Sequence, residues 1–312
     1  MERFTDLSAI PAAARGASVA IGNFDGVHLG HQAVIAQARR DGAALGVVTF
    51  EPHPRSFFAA EKGLPKPPFR LMSAEARANR LEKLGVERLF EVPFDAALAE
   101  LSPEAFVTDI IATGIGASHV VVGQDFCFGK NRAGDTAALR GLAKAHGIDV
   151  TVAQMVATGA TEVSSTNIRR ALADARPADA RAMLGHWHRL EGEVIHGHAR
   201  GRDLGYPTAN ISLGDLHHPA YGVYVVVVDV LDGPHAGSYH GASSIGVRPM
   251  FGENAANCET FLFDFKGDLY GATISVGLVA YLRGEQKFDG LDALIAQMGR
   301  DCDRARAILG AL

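Results

Sequence analysis

The sequence predicts an open, doubly wound parallel α/β sheet over residues 1–184, then an antiparallel β-barrel or sandwich with a C-terminal helix over residues 185–312. Three observations predict it. Apolar strands alternate with helical segments in the first half, short strands sit between glycine-rich turns in the second, and the final segment repeats apolar residues at helical spacing.

In the first half, "ASVAIG" (17–22) is a continuous apolar run, as expected of a parallel strand buried on both faces. From His28 to Arg40, Val34, Ile35 and Ala38 fall at helical spacing, and "LGVVTF" (45–50) completes a βαβ unit. "RLFEVPF" (88–94), "SHVVVG" (118–123) and "IDVTVAQMV" (148–156) read as further strands, with "PEAFVTDIIATG" (103–114) as a helix between the first two. Between Thr166 and Leu184 an Ala- and Arg-rich helical region is interrupted by Pro177. Beyond Gly185 the strands are "LEGEVI", "YGVYVVVVDVL", "GSYHGASSIG", "CETFLFDF" and "TISVGLVAYL", with turn signals at "DGP" (232–234) and "KGD" (266–268). Leu291, Leu294, Ile295, Met298, Cys302 and Ile308 then form one helical stripe, with Asp289 as the expected N-cap. "GHWH" (185–188) receives no role.

Composition narrows the function classes. A net charge of −5 argues against sequence-independent binding to nucleic acid or to an anionic membrane. Any anionic ligand must be held by local basic groups. Three cysteines, Cys127, Cys258 and Cys302, lie too far apart for a disulfide or zinc framework. The N-terminus lacks a basic segment followed by an apolar run, and the longest apolar stretch, "VYVVVVDVL", is far below the ~20 residues of a membrane helix. A reduced, soluble, cytoplasmic protein is expected.

The stretch "GNFDGVHLGH" (22–31) joins the first strand to its helix. A helix N-terminus after a parallel strand attracts phosphate through free N–H groups and the helix dipole. Gly22 and Gly26 let the backbone approach closely, and Asn23 and Asp25 supply short polar side chains between them. His28 and His31 are three apart, share a face, and can both reach one phosphate group. The pair resembles the HxGH signature of nucleotidyltransferases. A phosphate acceptor is already anionic, so this chemistry needs donors around the α-phosphorus rather than a strong base. A second anion site is read in "EVSSTNIRRAL" (162–172), where Ser164, Ser165 and Thr166 can cap a helix and Arg169 falls on its first turn. "VGQDFCFGKNRAGD" (122–135) sets Phe126 and Phe128 beside Lys130 and Arg132, consistent with a ring stacked near phosphates.

The second half carries a different phosphate design, "GHARGRDLGYPTANI" (197–211). Gly197, Gly201 and Gly205 leave backbone open to phosphates, with Arg200 and Arg202 nearby, and no G-K-[ST] follows. In "PTAN", Thr208 and Asn210 are two apart in an extended segment, so a hydroxyl and an amide oxygen face one way, as suits Mg²⁺. In "CETFLFDF", period two puts Glu259 on one face with Phe261, Phe263 and Phe265. If that face lines the barrel, Glu259 sits at its mouth as a candidate general base for an alcohol nucleophile.

In order, "GNFDGVHLGH", "TFEPHPRSFF" (49–58), "VGQDFCFGKNRAGD" and "VSSTNIRRAL" resemble the bacterial bifunctional riboflavin kinase/FAD synthetase family. The second half agrees, through the "PTAN" string, "SIGVRPMF" (244–251), "FKGDLYG" (265–271) and "YLRGEQKF" (281–288). The resemblance implies a nucleotidyltransferase domain followed by a riboflavin kinase barrel. It implies catalytic roles for His28, His31, Arg169 and Glu259, and phosphate and adenine contacts from Asn23, His28, His31, Ser165, Thr166 and Arg169. It places flavin contacts at His53, Pro54 and Phe126, nucleotide or flavin contacts at Pro207 and Arg248, and Mg²⁺ at Thr208 and Asn210. Riboflavin, FMN and ATP are the implied substrates. Met250, Ser244 and Cys127 depart from the family's usual residues. Two other readings stay open, a nucleotidyltransferase with another acceptor and a non-catalytic barrel, or a flavin-binding or storage protein.

Overall fold

Strands β1 (Glu2–Phe4), β2 (Ser18–Ile21), β3 (Leu45–Glu51), β4 (Arg88–Pro93), β5 (His119–Gly123) and β6 (Asp149–Ala153) form one sheet in the order β1-β4-β3-β2-β5-β6. Every pairing in it is parallel. This computed structural model describes residues 1–65, 68–159, 161–196, 205–250 and 253–312, without the side chains of 248–250 and 253–255. Gly197, Arg200, Gly201, Arg202 and the Arg248 side chain lie outside the described residues. The chain divides into two units, Met1–Pro67 with Ala74–Val163, and Pro68–Ser73 with Ser164–Leu312.

In the first unit the valine- and alanine-rich strands β2, β3 and β5 are buried along their length, as the apolar runs predict. Helices α1 (Leu29–Gln37), α2 (Pro54–Glu61), α3 (Ala74–Lys83), α4 (Phe106–Ile115) and α5 (Thr136–Lys144) connect the strands. Val34, Ile35 and Ala38 are buried, so the stripe read from sequence is the packed one. Strand order runs from β2 outward through β3 and β4, then restarts on the other side of β2 with β5. The loops after β2 and β5 therefore flank the point where the winding reverses, the place at which open parallel sheets bind ligands. Strand β1 pairs with β4 at the edge and was not foreseen, since three residues carry no periodic pattern. A two-residue ladder, β7 (Ala157–Thr158) with β8 (Thr161–Glu162), ends the unit.

The second unit opens with α6 (Ser165–Ala173) and α7 (Pro177–Leu184), Pro177 beginning the second helix rather than merely breaking the first. Strands β9 (Arg189–Glu193), β10 (Ala209–Ser212), β11 (Gly222–Val230), β12 (Gly237–Met250), β13 (Glu253–Leu262) and β14 (Thr273–Arg283) form an antiparallel sheet in the order β10-β13-β12-β11-β14-β9. The Ile195 amide donates to the Asn210 carbonyl at 2.9 Å, bridging the end of β9 to β10. The sheet thus comes close to a closed barrel. Tyr224, Val226, Val228, Ile245, Cys258, Leu262, Ile274, Val276 and Leu278 fill its interior.

The helix α8 (Leu291–Leu309) lies on the barrel's outside, packing Ala305 and Leu309 with Val225, Ala242, Phe263 and Val279. This corrects the sequence reading of β13. Phe261 and Phe263 belong to this outer layer, and Cys258 and Leu262 face inward. Period two identifies two faces but not which is interior, and here a helix makes the outer face apolar as well. Phe265 joins the interior cluster only because the chain turns at Asp264, whose φ is 57°. The expected cap is also corrected, because Gly290, not Asp289, precedes α8 and makes no side-chain cap. Leu291 is 55% exposed, while Asp301 is buried and pairs with Arg283 at 2.8 Å, so the packed stripe lies nearer the C-terminus than expected.

The "GHWH" segment is structural. The Arg181 guanidinium sits 3.8 Å from the Trp187 ring centroid. His188 is only 2% exposed, its Nε2 has no hydrogen-bond partner, and burial beside His217 and His186 pushes its pKa down to about 3. The unfolded chain binds a proton near pH 6.5 that the folded chain refuses, so stability is lost as pH falls from about 6.5 towards about 3. The slope is about 1.4 kcal/mol per pH unit. Urea unfolding followed at Trp187 should show wild type losing about 2 kcal/mol more than His188→Gln between pH 7 and pH 5. Equal losses in the two proteins would remove His188 from the account.

Candidate active sites

The loop between β2 and α1 is bent into conformations that side chains avoid. Phe24 and Val27 have φ of 51° and 41°, and Gly26 has φ of 89°. Burial of Phe24 and Val27 and a set of hydrogen bonds hold this shape. The Gln32 amide donates to the Val27 carbonyl at 2.9 Å, and the Thr49 hydroxyl to the Asn23 carbonyl at 3.3 Å. Arg77 of α3 donates to the same Asn23 carbonyl at 3.4 Å while pairing with Glu51 at 3.1 Å and Glu91 at 3.2 Å. Arg77 is fully buried, and Asp25 is buried within the loop. Sequence reasoning missed Arg77 because an arginine in a charged helix ordinarily reads as surface.

His28 is the N-cap of α1, its Nδ1 accepting the His31 amide at 3.2 Å. An accepting Nδ1 leaves the proton of the neutral ring on Nε2. The His28 and His31 rings stack at 3.6 Å and 15°, so the two imidazoles do share one face. Desolvation, with His28 alongside, holds His31 well below the usual histidine range, and its buried Nδ1 makes no hydrogen bond within the protein. A Cβ on Gly30 would stand 3.1 Å from the His28 ring, so this glycine gives the ring its place. The motif "HLGH" contained that signal in its third letter. Two imidazoles at a helix N-terminus, His31 held neutral, make a donor set for an anion.

His53 caps α2, its Nδ1 accepting the Arg55 amide at 3.0 Å. Phe126 stacks on Phe128 at 5.6 Å, and Phe128 in turn packs on Phe106 within the core. Of the two expected stacking rings, only Phe126 is half-exposed. Lys130 pairs with Glu100.

In the second unit Ser164 caps α6 by accepting the Asn167 amide at 3.3 Å. Ser165 and Thr166 are its first two residues, and Arg169 is the fifth, one turn further than expected. The Arg169 Nε donates to the Phe69 carbonyl at 2.6 Å, and the guanidinium lies 5.5 Å from the Phe69 ring centroid.

On the barrel, the Asn210 amide nitrogen donates to the Thr208 carbonyl at 3.2 Å and the Thr208 hydroxyl at 3.4 Å. The two side chains therefore lie together. Asn210 pairs in register with Glu259, so both leave the sheet on the same side. Glu259 accepts from the Asn257 amide at 3.2 Å. The result is a polar patch of Thr208, Asn210, Asn257 and Glu259 on the barrel's outer face. Its hydroxyl, amide and carboxylate oxygens are the hard donors that Mg²⁺ takes. Gly205, with φ of 81°, and Pro207 precede it. Among the described residues no group of three or more His, Cys, Asp or Glu could hold a metal ion.

Residues 10–167 match the family model for FAD synthetase, and residues 184–309 match that for riboflavin kinase. The bifunctional riboflavin kinase/FMN adenylyltransferase of Pseudomonas fluorescens is 42% identical, covering 94% of this chain and 93% of its own. The chain belongs to this bifunctional riboflavin kinase/FMN adenylyltransferase family. The family's Escherichia coli K12 protein is 37% identical, covering 95% of this chain and 93% of its own. A crystal structure described as a macrolide-efflux protein from Streptococcus pneumoniae superposes with a TM-score of 0.81 at 31% identity, covering 96% of each chain. No helix among the described residues here is long and apolar enough to cross a membrane.

Gly30→Ala should tilt the His28 ring and lower FMN adenylylation on the order of 10–100-fold, with riboflavin phosphorylation unchanged. Steady-state assays of both reactions on the same preparation check this, and an unchanged adenylylation rate would refute the assigned role of Gly30.

Proposed function

We propose that the C-terminal module phosphorylates riboflavin to FMN with ATP and the N-terminal module adenylylates FMN to FAD with ATP, the boundary falling near residue 185. The observation that carries this reading is the succession, in one chain, of the FAD synthetase match over 10–167 and the riboflavin kinase match over 184–309.

In adenylyl transfer an FMN phosphate oxygen attacks the α-phosphorus of ATP, and the bond to pyrophosphate breaks. The attacking oxygen arrives charged, so the site's task is to stabilise the negative charge of the transition state. Gly22, Asn23, Asp25 and Gly26 shape the backbone beneath His28 and His31, whose imidazoles donate to the phosphates. Ser165 and Thr166 at the start of α6, with the Arg169 guanidinium, serve nucleotide phosphates in the adenylyl transfer. His53 and Phe126 contact the flavin.

In phosphoryl transfer the nucleophile is a neutral ribityl hydroxyl, and Glu259 takes its proton as the oxygen attacks the γ-phosphorus and ADP leaves. Asn257 holds the Glu259 carboxylate at 3.2 Å, which supports the orientation a base requires. Thr208 and Asn210 would hold Mg²⁺ together with phosphate oxygens. Bound there, the ion would neutralise charge on the transferring phosphoryl group. Gly197, Arg200, Gly201, Arg202, Gly205, Pro207 and Arg248 complete the nucleotide and flavin contacts in this reading. A cytoplasmic setting, with no nucleic-acid or membrane partner, fits three free cysteines and a net charge of −5.

Chromatography of the pure protein incubated with riboflavin, ATP and Mg²⁺ should show FMN and then FAD; neither product would reject the reading. Glu259→Gln should lower FMN formation at least a hundredfold, the loss expected of a general base, and leave FMN-to-FAD conversion intact. Equal loss of both activities would overturn the division of labour.

A further inference from the structure

The segment Pro68–Ser73 belongs to the second unit, although its neighbours on both sides in sequence belong to the first. It lies along the connection between β10 and β11. The Phe69 and Arg70 amides both donate to the Asp215 carbonyl at 3.2 Å, and the His217 amide donates to the Arg70 carbonyl at 2.7 Å. Arg70 and Leu216 form a parallel bridge. Two atoms of Arg169 are fixed by this assembly. Its Nε donates to the Phe69 carbonyl at 2.6 Å, and its own carbonyl lies 3.0 Å from His217 Nε2. The connection touches α6 once more through the Ala220 amide, which donates to the Leu172 carbonyl at 3.0 Å.

A carbonyl oxygen only accepts, so Nε2 of His217 carries the hydrogen and the ring is a donor aimed at the helix. His217 thus ties the barrel's β10–β11 connection both to the strap that receives the Arg169 side chain and to the Arg169 backbone. Asn210 and Glu259 lie on β10 and β13, with Thr208 just before β10, outside the β10–β11 connection itself.

We infer that His217 is a positioning residue for adenylyl transfer, holding α6 and the Phe69 strap in the relation that aims the Arg169 guanidinium. The inference rests on the assignment of Arg169 to adenylyl transfer. It makes FAD formation depend on a loop of the kinase barrel that FMN formation does not use.

Four full-length proteins test it: wild type, His217→Leu, His217→Gln and Arg169→Ala. Leucine removes the donor, and glutamine places an amide N–H at similar reach. His217→Leu should lower kcat for FMN-to-FAD conversion about tenfold, the size expected for one lost aligning hydrogen bond, with KM for FMN little moved. Riboflavin phosphorylation by the same sample should stay within about twofold of wild type, and His217→Gln should recover most of the lost kcat. A wild-type rate for His217→Leu, a parallel loss of both activities, or failure of glutamine to rescue would each overturn the inference. If Arg169→Ala itself converts FMN at the wild-type rate, the assignment of Arg169 falls and the inference with it. If Arg169→Ala is impaired and His217→Leu is not, only the inference falls.

Discussion

The first unit depends on a backbone conformation that its own residues resist. Between Gly22 and His28 two bulky side chains, Phe24 and Val27, take positive φ, one of them β-branched. Such geometry costs on the order of 1–3 kcal/mol per residue and persists only where surrounding contacts over-determine it. Here the surroundings are a sealed pocket for both side chains, a Gln32 amide on one carbonyl, and Thr49 and Arg77 on another. The reward for this strain is that α1 begins at the winding reversal of the sheet with His28 as its cap. Burying Arg77 with two carboxylates anchors the loop to β3 and β4, and removing one partner of such a group leaves an uncompensated charge.

The barrel solves a different problem. A strand with one wet face would hold Glu259 in bulk water, and a strand with two buried faces would leave no room for a substrate. Strand β13 divides its outer face along its length. The end near Phe261 and Phe263 is roofed by α8, and the end near Asn257 and Glu259 is polar. The same strand thus offers apolar cover and a carboxylate within a few residues. Tyr206, edge-on to Phe261 at 5.2 Å, marks the seam between the two.

Much of this was legible in the sequence, for identifiable reasons. Continuous apolar runs gave away β2, β3 and β5 because a parallel strand buried on both faces has no polar alternation to confuse with a helix. The histidine pair was legible because three-residue spacing at a helix start fixes a shared face whatever the tertiary setting. What stayed hidden depended on contacts between distant segments. Nothing local distinguishes Arg77 from a surface arginine, or tells that Phe69 and Arg70 pack against residues nearly 150 positions later. The inward or outward sense of β13 was hidden for a related reason, since it is set by where α8 docks. Asp289 looked like the better cap, yet the helix starts after Gly290, its first turn gaining little from packing.

Alternation along β13 has one further chemical result. Cys258 adjoins Glu259 in sequence but projects through the sheet into a dry interior, where burial lifts its thiol to about 11. A nucleophilic sulfur and a proton acceptor placed side by side in water would form a reactive couple. Set on opposite surfaces of one ribbon they face different surroundings, and the Glu259 charge adds to the burial that keeps the thiol protonated at neutral pH.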